Sequence, residues 1–134
     1  MANYLIYACE QRYGGLHGMY DYTVEYGITE QQANEIGHEM SIGVMESYTC
    51  IIEDLQEEAE YHADRDTIDD NEYEDLICEM IGELEEENAE WSVYKLRDNL
   101  TQEDKEQISI LIHHNDWEEI VKQYSEEQSF AITL

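Results

Sequence analysis

Apolar residues change their spacing several times along this chain. From Tyr4 to Cys9 they occupy both parities (Tyr-Leu-Ile-Tyr-Ala-Cys), as expected of a strand buried on both faces. Tyr20, Tyr22, Val24 and Tyr26 instead alternate with Asp21, Thr23 and Glu25, which predicts a half-buried strand with one aromatic face, ended at Gly27. Between them, Tyr13-Gly14-Gly15-Leu16-His17-Gly18 reads as a turn. The spacing then becomes three and four. Ala33, Ile36, Met40, Val44, Tyr48, Ile51, Leu55 and Ala59 form one stripe, predicting a single long helix. Thr29 is its expected N-cap, with Gln32 in the capping-box position, and Gly43 its expected bend. DRDTIDDN (64–71) interrupts the pattern, and Tyr73, Leu76, Ile77, Met80, Ile81 and Leu84 resume it in a second helix. A short link between two amphipathic helices implies an antiparallel hairpin.

Trp91, Val93, Tyr94 and Leu96 suggest a third strand. Thr101, with Asp104 three residues on, caps a short helix carrying Ile108, Leu111 and Ile112. Asn115 or Asp116 starts a last helix with Trp117, Ile120, Val121 and Tyr124, and Ser129–Leu134 is expected as a final edge strand. These elements predict one α+β domain over residues 1–134. A small, mainly antiparallel sheet is packed by a long antiparallel helical hairpin and two short C-terminal helices.

Charge changes this picture more than composition does. The chain has 34 acidic and 6 basic residues, a formal net charge of −28, yet 42% of it is apolar and it contains eleven Tyr. An acidic tail without a core would be poor in aromatics. A field of this sign repels nucleic acid and anionic membranes and attracts basic proteins and multivalent cations. Cys9, Cys50 and Cys78 are widely spaced and odd in number, a pattern of reduced thiols. The N-terminus has no basic region before an apolar run, and no apolar stretch is long enough for a membrane helix. A cytoplasmic protein is expected, with a basic protein as partner.

Motifs for chemistry are weak. A calcium loop begun at Asp64 would place Asp66 and Asp70 well. It would also put Ile68 at a ligand position, Asp69 where the turn requires Gly, and Asp75 where a bidentate Glu is usual. The Gly14–Gly18 turn lacks a Walker Lys and precedes a strand, so a phosphate cradle is not expected. Cys9 and His17 have no orienting group or oxyanion hole to make them a catalytic pair. His113 and His114 are adjacent and point apart on a helix, and no zinc spacing occurs. No catalytic residue, metal ligand or cofactor is expected.

Residues 53–90 hold eighteen acidic residues and one base, Arg65. With the apolar stripe inward, Glu53, Glu57, Glu60, Glu72, Asp75, Glu79, Glu83 and Glu86 fall on exposed or flanking positions. Asp54, Glu58, Asp64, Asp66, Asp69 and Asp70 complete the expected partner-binding set. Folded as a hairpin, the segment spans roughly 28 Å, or about one carboxylate per 1.6 Å. Duplex DNA carries one negative charge per about 1.7 Å of axis. An ordinary solvated hairpin would mix signs, with Glu–Lys pairs four apart, and here Lys is absent.

In size, net charge and this carboxylate array, the chain resembles the small acidic proteins of phages and mobile elements that mimic nucleic acid. That class includes anti-CRISPR proteins, antirestriction proteins and uracil-DNA glycosylase inhibitors, and its members do not share one fold. The resemblance implies a non-enzymatic inhibitor acting in the host bacterial cytoplasm. Its target would be a basic nucleic-acid-binding protein, a CRISPR effector in preference to a restriction enzyme. Exposed Tyr61 or Tyr73 would stack on guanidinium groups. An acidic adaptor or chaperone for a basic host protein is the alternative, and a divalent-cation-binding protein a third. Homodimerisation would lengthen the charged surface, although no sequence feature points to it.

Overall fold

The computed structural model describes residues 1–15, 18–63 and 70–126. Among them are three strands, β1 (Ala2–Glu10), β2 (Asp21–Ile28) and β3 (Ala89–Leu96). Five helices accompany them: α1 (Glu30–Ser47), α2 (Thr49–His62), α3 (Asp70–Asn88), α4 (Gln102–His113) and α5 (Trp117–Tyr124). The sheet is antiparallel in the order β2-β1-β3, so the doubly apolar strand is the central one. The fold is α+β. The chain forms two compact units. One comprises Met1–Tyr7, Tyr22–Gly37 and Trp91–Leu134; the other comprises Ala8–Asp21 and His38–Glu90. The expected edge strand at 129–134 lies outside the described residues, as do Leu16 and His17.

In the first unit, Leu5, Leu96, Ile108, Ile120 and Tyr124 are buried together, with Tyr7, Tyr22, Val24, Tyr94 and Trp117 against them. The strand members of this cluster share one parity on each strand, so α4 and α5 cover one face of the sheet. Trp117 lies 4.4 Å from Tyr7 and 6.2 Å from Tyr94 between ring centroids. The opposite face takes the start of α1, where Gly37 lets the helix approach Trp91. A Cβ at Gly37 would lie 2.4 Å from Trp91 Cδ1 and 2.7 Å from Cγ. Trp91 Nε1 donates to Asn34 Oδ1 at 3.0 Å, which holds the ring in place.

Both expected caps form. Gln32 N–H donates to Thr29 Oγ1 at 3.1 Å while Thr29 N–H donates to Gln32 Oε1 at 2.9 Å. Thr101 and Asp104 make the same reciprocal pair, and the Thr101 N–H holds the Asp104 carboxyl below its usual range. Helix α4 ends with Asn115 in the left-handed region, φ 56°. Its N–H donates to Ile112 C=O and that of Asp116 to Leu111 C=O, both at 2.9 Å, closing a Schellman motif from which α5 starts.

The second unit corrects the single long helix. Helix α1 ends at Ser47, Tyr48 is extended (φ −111°, ψ 116°), and α2 begins at Thr49. The break is therefore at Tyr48 and not at Gly43. Ser47 Oγ donates back to Gly43 C=O at 2.6 Å, and Tyr48 C=O accepts the Ile51 and Ile52 N–H groups as a new first turn. Tyr48 O–H donates to Gly18 C=O at 3.0 Å, and its ring joins the cluster of Met45, Ile51 and Leu55. Both sides of the break bury into that one cluster, so the stripe continues through it. Spacing alone cannot register such a break.

Helix α3 passes into β3 at Ala89 with no loop, two residues before the expected start of the strand. Ser41, fully buried, accepts the Glu90 N–H at 2.9 Å and donates to Cys9 C=O at 2.5 Å. Cys9 is a core thiol, pushed up to about 11 by burial and then by the Glu90 carboxylate. Among the described residues, no helix is long and apolar enough to cross a membrane.

Substituting Gly37 tests the α1–Trp91 approach. Gly37→Val is expected to lower unfolding free energy by about 2 kcal/mol, measured by urea denaturation, because the contacted ring atoms sit next to the backbone and cannot swing away.

Candidate functional site

Helices α2 and α3 pack against each other. Ile51, Leu55 and Ala59 are the buried line of α2, and Leu84, near the end of α3, packs against the cluster of Met45, Ile51 and Leu55, the last two near the start of α2. The two therefore run antiparallel, as the hairpin expectation requires. With this line inward, water receives the carboxylates. Glu53, Glu57, Glu60, Glu72, Asp75, Glu79, Glu83 and Glu86 are all exposed. Neither helix contains Lys or Arg, against five acidic residues in α2 and nine in α3. Asp70 is the first residue of α3, and Asp64, Asp66 and Asp69 lie outside the described residues.

Folding also segregates charge. The unit holding the hairpin has 22 acidic and two basic residues, a formal −20. The other has 12 acidic and four basic residues, a formal −8. Among its bases, Lys95 Nζ is 3.2 Å from Glu126, and Lys105 and Arg97 sit over the rings of Tyr26 and Tyr124.

Asp54, Glu58 and Glu86 of the expected binding set are engaged within the chain. Arg12 forms an ion pair with Glu58, and the Tyr13 hydroxyl donates to Asp54. That bond to a carboxylate pushes the Tyr13 phenol up to about 12. Glu86 meets His38 Nε2 at 2.6 Å. Asp54 and Glu58 are half-buried for this reason, whereas Glu53, Glu57 and Glu60 remain exposed beside them.

Sequence reasoning missed what positions these contacts. Glu10 ends β1 with no exposed surface, and its carboxylate accepts the Arg12 N–H at 2.7 Å and the Tyr13 N–H at 2.6 Å. Its carbonyl accepts the Gly14 N–H at 2.9 Å, with Gly14 in the left-handed region at φ 58°. A buried carboxylate thus folds the turn so that the Arg12 and Tyr13 side chains reach α2. An acidic residue closing an apolar strand just before a Gly-Gly turn was the available signal.

Arg12, Asp54, Glu57, Glu58, Tyr61 and His62 line an open cleft of 560 Å³. Tyr61 is 84% exposed and edge-on to His62, with ring centroids 5.1 Å apart. Tyr73, its expected counterpart, is half-buried. The surface can hold cations and planar guanidinium groups through carboxylates and one aromatic face. No protein-family model, curated protein or solved structure matches this chain.

Two outcomes follow from the geometry. Glu10→Ala removes the carboxylate that accepts the Arg12 and Tyr13 N–H groups and is expected to cost about 2 kcal/mol in urea denaturation. Like-charge repulsion within the hairpin is screened by salt, so the melting temperature should climb between 20 mM and 0.5 M NaCl, read by circular dichroism.

Proposed function

We propose that the chain is a non-enzymatic inhibitor that mimics nucleic acid. It blocks the DNA- or RNA-binding groove of a bacterial defence nuclease in the host cytoplasm, a CRISPR effector in preference to a restriction enzyme. The observation that supports this reading is the row of eight exposed carboxylates on two helices that contain no Lys or Arg. Arg and Lys side chains that normally grip phosphates pair with these carboxylates. Release of counterions from both surfaces favours the complex, and nucleic acid is excluded by competition. Tyr61, the most exposed aromatic of the hairpin, adds stacking on a guanidinium. Asp54, Glu58 and Glu86 contribute less to the partner, since each already has a partner inside the chain.

The test is inhibition of DNA cleavage by a guide-loaded CRISPR effector and, in parallel, by a restriction endonuclease. Activity should titrate to zero at one chain per nuclease complex and return when excess duplex DNA is added first. Affinity should fall at least tenfold between 50 and 200 mM salt. Combined Glu53→Gln, Glu57→Gln and Glu60→Gln should weaken inhibition about tenfold or more, while the same charge removal at Glu30, Glu35 and Glu39 on α1 should change it little. Salt-independent affinity, or inhibition at a small fraction of the nuclease concentration, would refute the mechanism.

A further inference from the structure

Gly43 is not where the first helix breaks, and packing gives it no other role. It lies inside α1, where glycine weakens a helix relative to alanine. A Cβ at Gly43 would meet no atom within 4 Å. The space beside it is an open cleft of 380 Å³ that lies wholly within the second unit. Met40, Val44 and Tyr48 line it with Gly43, and Tyr20 and Asp21, where β2 begins, complete the lining. The bond from its hydroxyl to Gly18 C=O holds Tyr48 in place. Ser47 Oγ donates to Gly43 C=O at 2.6 Å, so the bare helix backbone offers the cleft C–H surface.

This lining combines aliphatic and aromatic surface with one carboxylate, Asp21, and among the described residues it includes no Lys, Arg or His. The unit around it carries a formal −20. Such a field repels an anion, whereas a cation on an aliphatic stem matches both kinds of lining. Ligand pockets run from about 300 to 1,000 Å³, so the cleft is at the small end and suits one long side chain.

We propose that this cleft receives an arginine side chain of a partner protein. The stem lies along Met40, Val44 and the backbone at Gly43, and the guanidinium reaches Asp21 and the tyrosines. Arginine fits better than lysine, because a planar, weakly hydrated guanidinium stacks on aromatic rings and pairs with a carboxylate through two N–H groups. None of the exposed carboxylates of the hairpin lines the cleft, so it is a second contact with a shape of its own. It rests on the inhibitor reading only for the source of the arginine, a nuclease groove that normally grips phosphates.

Amide NMR of the whole chain in 150 mM NaCl, titrated with Nα-acetylarginine amide, tests the site. No nuclease is present, so failure here and failure of the inhibitor reading are separate results. The amides of Gly43, Val44 and Tyr48 should shift and saturate with a Kd of about 1 mM. Gly43→Leu fills the cleft from a position that meets no packed neighbour, and should weaken binding about tenfold or more while melting no lower than wild type. Asp21→Asn, which decides should Gly43→Leu fail to fold, should weaken it about threefold or more. Combined Glu53→Gln, Glu57→Gln and Glu60→Gln should leave it nearly unchanged. Shifts spread over the acidic surface without saturation, or saturable binding that survives Gly43→Leu, would overturn the proposal. Equal affinity for Nα-acetyllysine amide would do so too, since charge alone would then be read. Much tighter binding of free arginine would also overturn it, by making the cleft a site for the amino acid and not for a partner's side chain.

Discussion

Carboxylates at this density have to stay in water, and that requirement governs how α2 and α3 are built. Each helix has a single narrow apolar line with acidic residues around most of its remaining circumference. Ile51, Leu55 and Ala59 on one side, with Ile77 and Leu84 on the other, supply the buried surface that opposes the repulsion. Burying a Leu or Ile side chain contributes roughly 1.5–3 kcal/mol, whereas a pair of exposed like charges in high dielectric opposes folding by about 1 kcal/mol or less. A few fully buried aliphatic residues can therefore hold together a surface carrying many carboxylates. Helices α2 and α3 contain no Lys or Arg, so this balance is met without ion pairs within the hairpin and the field of its exposed face is left unneutralised.

Where carboxylates do approach protein groups, each has its own compensation. Glu10 is buried with two backbone donors, Glu58 pairs with Arg12, Asp54 receives the Tyr13 hydroxyl, and Glu86 meets His38. Glu85, half-buried with its Oε2 shielded from water, has no such hydrogen-bond partner among the described residues. The order is physically sensible, since a buried charge without partners costs several kcal/mol, far more than a hydrogen bond contributes. The turn after β1 is central here because one carboxylate, Glu10, directs two adjacent side chains onto the acidic helix. Arg12 then neutralises part of the half-buried edge of α2 and leaves Glu53, Glu57 and Glu60 to solvent.

Much of the fold was legible from spacing. The doubly apolar Tyr4–Cys9 segment is the central strand, the alternating 20–26 segment an edge strand, and the Thr29 and Thr101 capping boxes form as read. Local rules suffice in these cases because the side chains concerned bond or pack within a few residues of themselves. The Tyr48 break escaped because its cause is distant: Gly18 accepts the Tyr48 hydroxyl, and the stripe on both sides faces one cluster. The contacts of Arg12 and Tyr13 escaped for a related reason, since their partners on α2 lie more than forty residues away.

By itself the sequence determined the sign of the field, the α+β class, the hairpin and the outward set of carboxylates. All of these follow from composition and from periods of two and 3.6, which are properties of single segments. Tertiary structure alone decided which carboxylates are engaged inside the chain. It also decided that charge is divided unequally between two units, each assembled from distant pieces of chain. Those outcomes depend on distances across the fold, where a few ångströms separate a solvated carboxylate from one that must find a base, a hydroxyl or a backbone donor.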